Sequence, residues 1–180
     1  QGTALLLRTA GHQMLYDSGP QYAPGVDAGQ RVLLPLLRAL GVDRLDLLML
    51  SHRDSDHVGG AASLLAGLPV GRLLSSLEPG HGLLAAGPPA QPCLQGQAWE
   101  WDGVRFELLH PGALHYQQGL KSNDLSCVLR VVNRAGRAVL LTGDIEAAQE
   151  LALVQRLGAE ALRSEVLLVP HHGSKTSSTE

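Results

Sequence analysis

Short apolar runs that alternate with helically spaced segments place this chain in the α/β class, with layers of strands and helices. Two further observations agree. The 180 residues are 44% hydrophobic, enough for one sizeable core and one domain. Several apolar runs also end abruptly in an acidic or imidazole residue close to a glycine, as strands do when they deliver functional groups to loops.

In chain order, "TALLLRTAGHQMLYDSG" reads as two strands joined by a turn at "AGH". "GQRVLLPLLRALGV" has helical spacing at Val32, Leu33, Leu36, Leu37 and Leu40, with Pro35 tolerated in the first turn and Gly41 as the stop. "RLDLLML" is a continuous apolar run, the mark of a strand buried on both faces. A short helix over "VGGAASLLAGLPV" and a strand over "GRLLSSL" follow. From Glu78 to Gln97 the chain is rich in Gly, Pro and Ala without periodicity, which predicts loop or weak helix.

"AWEWDGVRFELLH" alternates around a "DG" turn, and "SCVLRVVNRAGRAVLLTGD" repeats that design around "NRAG", so two hairpins are predicted. A helix over "IEAAQELALVQRLG" and a last buried strand in "EVLLVP" complete the reading. Gln1 and Gly2 lead straight into a strand, and the chain stops at Glu180 soon after another, so the sequence reads as a piece of a longer one.

The net charge of −3 rules out an extended basic groove, so a nucleic-acid partner must be held locally. Cys93 and Cys127 belong to no CxxC pair and read as packed thiols. No apolar run approaches the ~20 residues of a membrane span, and no signal core opens the chain, so the piece reads as soluble.

The stretch "SHRDSDHVGG" puts His52, Asp54, Asp56 and His57 into one short loop after a buried strand. Gathering carboxylates at neutral pH is unfavourable unless cations or protons compensate, and a pair of metal ions would do so. The competing reading is a polar helix start capped by Asp54, Ser55 and Asp56. It accounts for the aspartates but not for the histidines. Asp17 in "YDSG", Asp144 in "LLTGD", and His171 and His172 in "PHHGS" stand at other strand ends of the same construction. Asp17 alone fits an ordinary turn former equally well.

These motifs resemble the metallo-β-lactamase superfamily: "HRDSDH" matches its HxHxDH signature with Asp54 in place of the second histidine, and "YDSG", "LLTGD" and "PHHGS" follow in order. Within it, "SHRDSDHVGG", "PHHGSKTSS", the "QG" start and "LLHP" before "SNDLS" are most similar to the C-terminal domain of ComEC-type competence DNA-uptake channels.

The resemblance implies a four-layer αββα sandwich over residues 1–180, incomplete at its C-terminal end. It implies two divalent metal ions, with His52 and Asp54 on one, Asp56 and His57 on the other, and Asp144 bridging. His171 is the further ligand candidate and His172 the proton donor, an assignment that the two neighbours could exchange. Asp56 and His172 are the catalytic candidates. Asp17, Asn123 and Ser126 would support the ligands by hydrogen bonds.

A family histidine expected before Asp144 has no clear match: "KSNDLS" offers Asn123, Asp124 and Ser126, with His110 and His115 nearby. Asp54 and the lack of thiolate donors favour Mn²⁺, with Mg²⁺ or Zn²⁺ as alternatives. Arg53, Ser174 and Lys175 are candidate phosphate contacts, although "KTSS" also fits a frayed polar tail.

The implied activity is metal-dependent phosphodiester hydrolysis, degrading the DNA strand that is not transported. The implied partners are single-stranded or duplex DNA and a membrane channel domain of the same chain, with the domain on an inner-membrane protein, facing the periplasm or cell exterior. A hydrolase of a small phosphoester or a lactone, and a DNA-guiding domain without catalysis, are the competing readings.

Overall fold

A computed structural model describes residues 2–178; Gln1 of the "QG" start and Glu180 at the end lie outside the described residues. The chain divides between Pro92 and Cys93 into two compact units.

In the first unit, β1 (Leu5–Arg8) and β2 (Gln13–Tyr16) form the expected antiparallel hairpin. A small ribbon, β3 (Gln21–Ala23) with β4 (Val26–Asp27), follows. The next helix opens with a wide turn over Gly29–Leu33 and continues as α1 (Leu34–Ala39), with Gly41 at φ 70° just beyond it. Its predicted stripe is only partly right. Leu33, Leu34 and Leu37 are buried, whereas Val32, Leu36 and Leu40 are exposed, because the wide turn changes which side chains share the inner face.

β5 (Leu47–Leu50) is buried at every position, as its unbroken apolar run requires. After it come α2 (Ser55–Val58), α3 (Ala61–Gly67), β6 (Leu73–Ser75) and β7 (Ala90–Pro92). β7 lies inside the segment predicted to be loop or weak helix. It is a short edge strand, where Pro92 costs no ladder bond. The sheet order is β1-β2-β5-β6-β7, with β2, β5, β6 and β7 mutually parallel. Leu15, Leu48, Leu50 and Leu73 of this sheet pack with Leu34, Leu37, Ala61 and Leu64 of the helices.

The second unit begins with β8 (Ala98–Trp101) and β9 (Val104–His110), turned by Asp102 and Gly103 at φ 54° and 78°. Two consecutive positive φ values are what a two-residue hairpin needs, and "DG" supplies them. β10 (Val128–Val132) and β11 (Ala138–Leu141) form the second hairpin. Then come α4 (Ala147–Leu157), α5 (Ala159–Leu162) and β12 (Val166–Leu167). Glu146 and Gln149 cap α4 reciprocally, and Gly158 at φ 80° ends it. The order is β12-β11-β10-β9-β8, antiparallel except for β12 beside β11. Ile145 and Leu153 pack on Leu109, Val128 and Leu140.

Two expectations are corrected here. "EVLLVP" is not a buried strand: β12 has two residues at the sheet edge, with Val166 and Leu167 at least half exposed. Its apolar run therefore does not report burial. Cys93 and Cys127 are not packed thiols but a disulfide, closing 34 residues of sequence. Their separation in the chain hides a pairing that the fold brings to a Cα–Cα distance of 5.9 Å.

Candidate metal centre

β2, β5 and β6 run parallel, so their C-terminal ends fall at one edge of the first sheet, where Asp17, Ser51 and Ser76 continue the strands. Asp17 adopts φ 60°, a left-handed conformation that short Asp side chains tolerate. Its fully buried carboxylate accepts from the Ser51 backbone N–H at 2.7 Å, from Ser51 Oγ at 2.8 Å and from His57 Nδ1 at 2.8 Å. Ser51 Oγ lies 2.9 Å from His52 Nδ1. Ser76 Oγ donates to the Ser51 carbonyl, and Ser18 N–H and Oγ donate to the His57 carbonyl.

His52 and His57 are buried, and their ring centroids lie 4.1 Å apart. His52 Nε2 is 3.8 Å from Asp54 Oδ2, and His57 Nε2 is 3.7 Å from Asp56 Oδ2. Asp54 occupies the N-cap position of α2 but its side chain makes no capping bond. The helix-start reading is thus right in position, since α2 begins at Ser55, but not in the capping bond expected of Asp54. Arg53 pairs with Glu78 at 3.6 Å.

Gly59 and Gly60 hold this loop close to the preceding chain. A Cβ at Gly60 would meet the Ser18 carbonyl oxygen at 2.3 Å, and one at Gly59 the Gln21 nitrogen at 2.0 Å. The glycines after the cluster are thus needed for space rather than for unusual dihedrals.

In the second unit, β11 and β12 are parallel and deliver "TGD" and "PHHG" to a common sheet edge. Asp144 is buried, and its backbone N–H donates to Ser126 Oγ at 3.1 Å. His172 Nε2 lies 3.5 Å from Asp144 Oδ2. His171 turns elsewhere: Nδ1 is 2.9 Å from Thr176 Oγ1 and 3.6 Å from Glu146 Oε1, and Nε2 is 3.4 Å from Asn123 Nδ2. Both histidines have positive φ, 46° and 52°, which sends adjacent side chains to different neighbours.

The segment after them is not a frayed tail. Ser177 is buried and donates to the Pro170 and Ser174 carbonyls, and the Ser178 N–H reaches Glu150 at 2.8 Å. Ser174 Oγ pairs with Thr176 Oγ1 at 3.2 Å, and Lys175 is exposed.

Neither nearby histidine replaces the missing one by its present contacts. His110 Nε2 donates to the Asp124 carbonyl at 2.7 Å, and burial lowers its pKa to about 4, so it is neutral at pH 7. His115 Nδ1 accepts from the Gly112 N–H at 3.0 Å. Burial likewise pushes the Tyr116 hydroxyl up, while it donates to the Cys93 carbonyl.

The donor set of the first unit fits a divalent cation. Both imidazoles have Nδ1 committed within the Asp17 network, and each Nε2 faces a carboxylate oxygen at under 4 Å. The sequence gives Ser51, Ser76 and Glu146 no role beyond their place in the cluster loop, a strand and a helix, and Thr176 stands only among the polar residues of "KTSS". Only the hydrogen bonds distinguish them.

The curated relatives include "Competence protein ComA" of Neisseria gonorrhoeae, 42% identical over 183 residues, which cover 99% of this chain and 23% of the relative. "Recombination protein 2" of Haemophilus influenzae is 37% identical over 180 residues, covering 100% of this chain and 21% of the relative. "ComE operon protein 3" of Bacillus subtilis is 33% identical over 161 residues, covering 84% and 20%. The chain thus spans about a fifth to a quarter of the length of these relatives.

Among solved structures, a Cronobacter sakazakii metallo-beta-lactamase HARLDQ motif mutant aligns with TM-score 0.63 at 16% identity, over 92% of this chain and 70% of that one. MEM-A1, a subclass B3 metallo-beta-lactamase from a soil metagenome library, aligns with TM-score 0.63 at 17% identity, over 94% and 72%. Both have the metallo-beta-lactamase fold. Residues 1–180 match the family profile described as the Metallo-beta-lactamase superfamily, and the chain belongs to that superfamily.

Proposed function

We propose that this chain is the metal-dependent nuclease domain of a ComEC-like DNA-uptake protein, hydrolysing phosphodiester bonds of the strand that is not transported. The observation that carries the reading is the loop in which His52 and His57, each with Nδ1 committed, turn Nε2 toward Asp54 and Asp56. The names of the relatives, competence and recombination proteins, point to DNA as the substrate.

The donors proposed for two divalent ions are His52, Asp54, Asp56 and His57 in the first unit. In the second unit they are Asp144 with His172, whose Nε2 lies beside its carboxylate. When bound, such ions stabilise charge on the attacking and leaving oxygens and activate water. The chain itself holds the imidazoles in orientation through Asp17, and anchors the Asp144 backbone through Ser126. Asp56 remains a candidate to receive a proton from water. His171, with Glu146, Asn123 and Thr176 around it, is a candidate to deliver one to the leaving group. Asp54 adds a hard oxygen donor, which favours Mn²⁺ over Zn²⁺. Arg53, Ser174 and Lys175 stand as phosphate contacts.

A periplasmic or external position is supported by the Cys93–Cys127 disulfide, since disulfides persist in oxidising compartments. Among the described residues no helix is long and apolar enough to cross a membrane, so anchoring would come from a channel domain elsewhere in the same protein.

The test is degradation of single-stranded and duplex DNA by purified protein with Mn²⁺, Mg²⁺ and Zn²⁺ each supplied. Metal-dependent cleavage that Asp144→Ala abolishes supports the reading. A protein inactive with all three ions sinks it.

One observation favours a second reading, a DNA-guiding domain without catalysis: His110 and His115 are committed to local hydrogen bonds, and the loop offers Asn123 where the family has a histidine. If wild type and Asp144→Ala bind DNA equally and neither holds metal, this reading replaces the first.

A further inference from the structure

We propose that Ser51 is a positioning residue through which Asp17 sets the ring tautomer of His52, so that one buried carboxylate orients both histidines of the loop. Its use in the protein rests on the metal-centre reading above.

The argument follows proton ownership along the network. As a carboxylate, Asp17 only accepts hydrogen bonds. At 2.8 Å from His57 Nδ1, it therefore requires the proton on that nitrogen. The same Oδ2 takes the hydroxyl proton of Ser51 at 2.8 Å. A hydroxyl has one proton to give, so toward His52 Ser51 Oγ acts as acceptor. At 2.9 Å, His52 Nδ1 must then carry a proton as well. Both rings become Nδ1–H tautomers, and both keep the Nε2 lone pair on the side of Asp54 and Asp56.

Every member is removed from solvent: Asp17, Ser51 and His57 are 0% exposed and His52 1%. Water is thus not at hand to take over the serine's place. Ser51 is also held by its backbone, with its N–H on Asp17 Oδ1 at 2.7 Å and its carbonyl on Ser76 Oγ at 2.6 Å. The hydroxyl is therefore fixed between the two side chains. A serine that merely ended a strand would not need an acceptor on one side and a ring donor on the other.

The experiment is a long-range ¹H–¹⁵N correlation of the histidine rings in metal-free protein at pH 8, for wild type, Ser51→Ala, Ser51→Thr and Asp17→Asn. In wild type, His52 and His57 both show the Nδ1–H pattern. Ser51→Ala moves His52 to a mixed or Nε2–H pattern while leaving His57 as it was, and Ser51→Thr keeps both. Asp17→Asn disturbs both rings. In parallel, a Mn²⁺ and Zn²⁺ titration weakens by about 10- to 100-fold in Ser51→Ala and recovers in Ser51→Thr.

A wild-type His52 in the Nε2–H form overturns the proposal, whether or not any variant folds. So does a His52 pattern unchanged in folded Ser51→Ala. If the tautomers are as stated but wild type binds neither ion, the relay stands and the metal-centre reading falls.

Discussion

Asp17 Oδ2 lies 2.8 Å from His57 Nδ1, with both side chains fully buried, and the same carboxylate also takes two donors of Ser51. Replacing Asp17 with alanine strands three buried donors at once. Each unsatisfied group costs about 1–3 kcal/mol, so a loss of about 3 kcal/mol or more is expected. Urea unfolding of metal-free protein measures it, and a loss below about 1 kcal/mol would contradict the network.

The two neighbouring histidines separate by their partners. His172 faces Asp144, whereas His171 faces Thr176, Glu146 and Asn123. His172→Ala is expected to lower the bound metal stoichiometry, and His171→Ala to leave it unchanged while slowing cleavage. Metal analysis of the two purified variants decides this, and the reverse pattern would exchange their roles.

His110 gives the folded state a defined acid sensitivity. Its folded pKa, lowered to about 4 by burial, lies below the ordinary value of 6.5. The unfolded chain therefore binds the proton more readily between these values. Stability from this group is complete above about pH 6.5 and declines as pH falls toward 4; below that both states are protonated and the loss levels off. The full effect is on the order of 3 kcal/mol. His110→Gln retains a donor for the Asp124 carbonyl but has nothing to titrate, so its stability profile should be flatter over this range. His115 and Arg156, whose charges also lower the His110 pKa, remain in both proteins.

The Cys93–Cys127 disulfide closes 34 residues around β8 and β9. In the chain-entropy account a loop of this length contributes about 3–4 kcal/mol. Cys93→Ser with Cys127→Ser, or reduction of wild type, should lower the midpoint of denaturation by a matching amount. Equal midpoints for oxidised and reduced protein would remove the disulfide from the stability of this unit.

Gly60→Ala should destabilise by about 1–3 kcal/mol or more, since its Cβ would meet backbone of Ser18 and Gly29 at 2.3 and 2.4 Å. Backbone atoms cannot rotate away as a flexible side chain can. Thermal unfolding reads the effect, and a wild-type midpoint would show that the two segments are free to separate.

Much of the fold is legible in local chemistry. The hairpin turn at Asp102-Gly103 demands two positive φ values, the buried β5 demands an unbroken apolar run, and α4 is bounded by Glu146 with Gln149 at one end and Gly158 at the other. Each of these signals acts within a few residues. The exposed β12 and the edge strand β7 are the failures, because an apolar run or a Pro-rich stretch has no knowledge of which neighbour covers it.

The site divides along the same line. Residue type and order carry the superfamily motifs and bring forward His52, Asp54, Asp56, His57 and Asp144 as candidate donors. That Asp17 and Ser51 meet the histidines, that His172 rather than His171 stands beside Asp144, and that Cys93 finds Cys127 is visible in the folded chain alone. The reason is physical: hydrogen bonds and disulfides depend on distances of a few ångströms between residues up to 40 positions apart, and those distances arise from strand register, not from any local pattern.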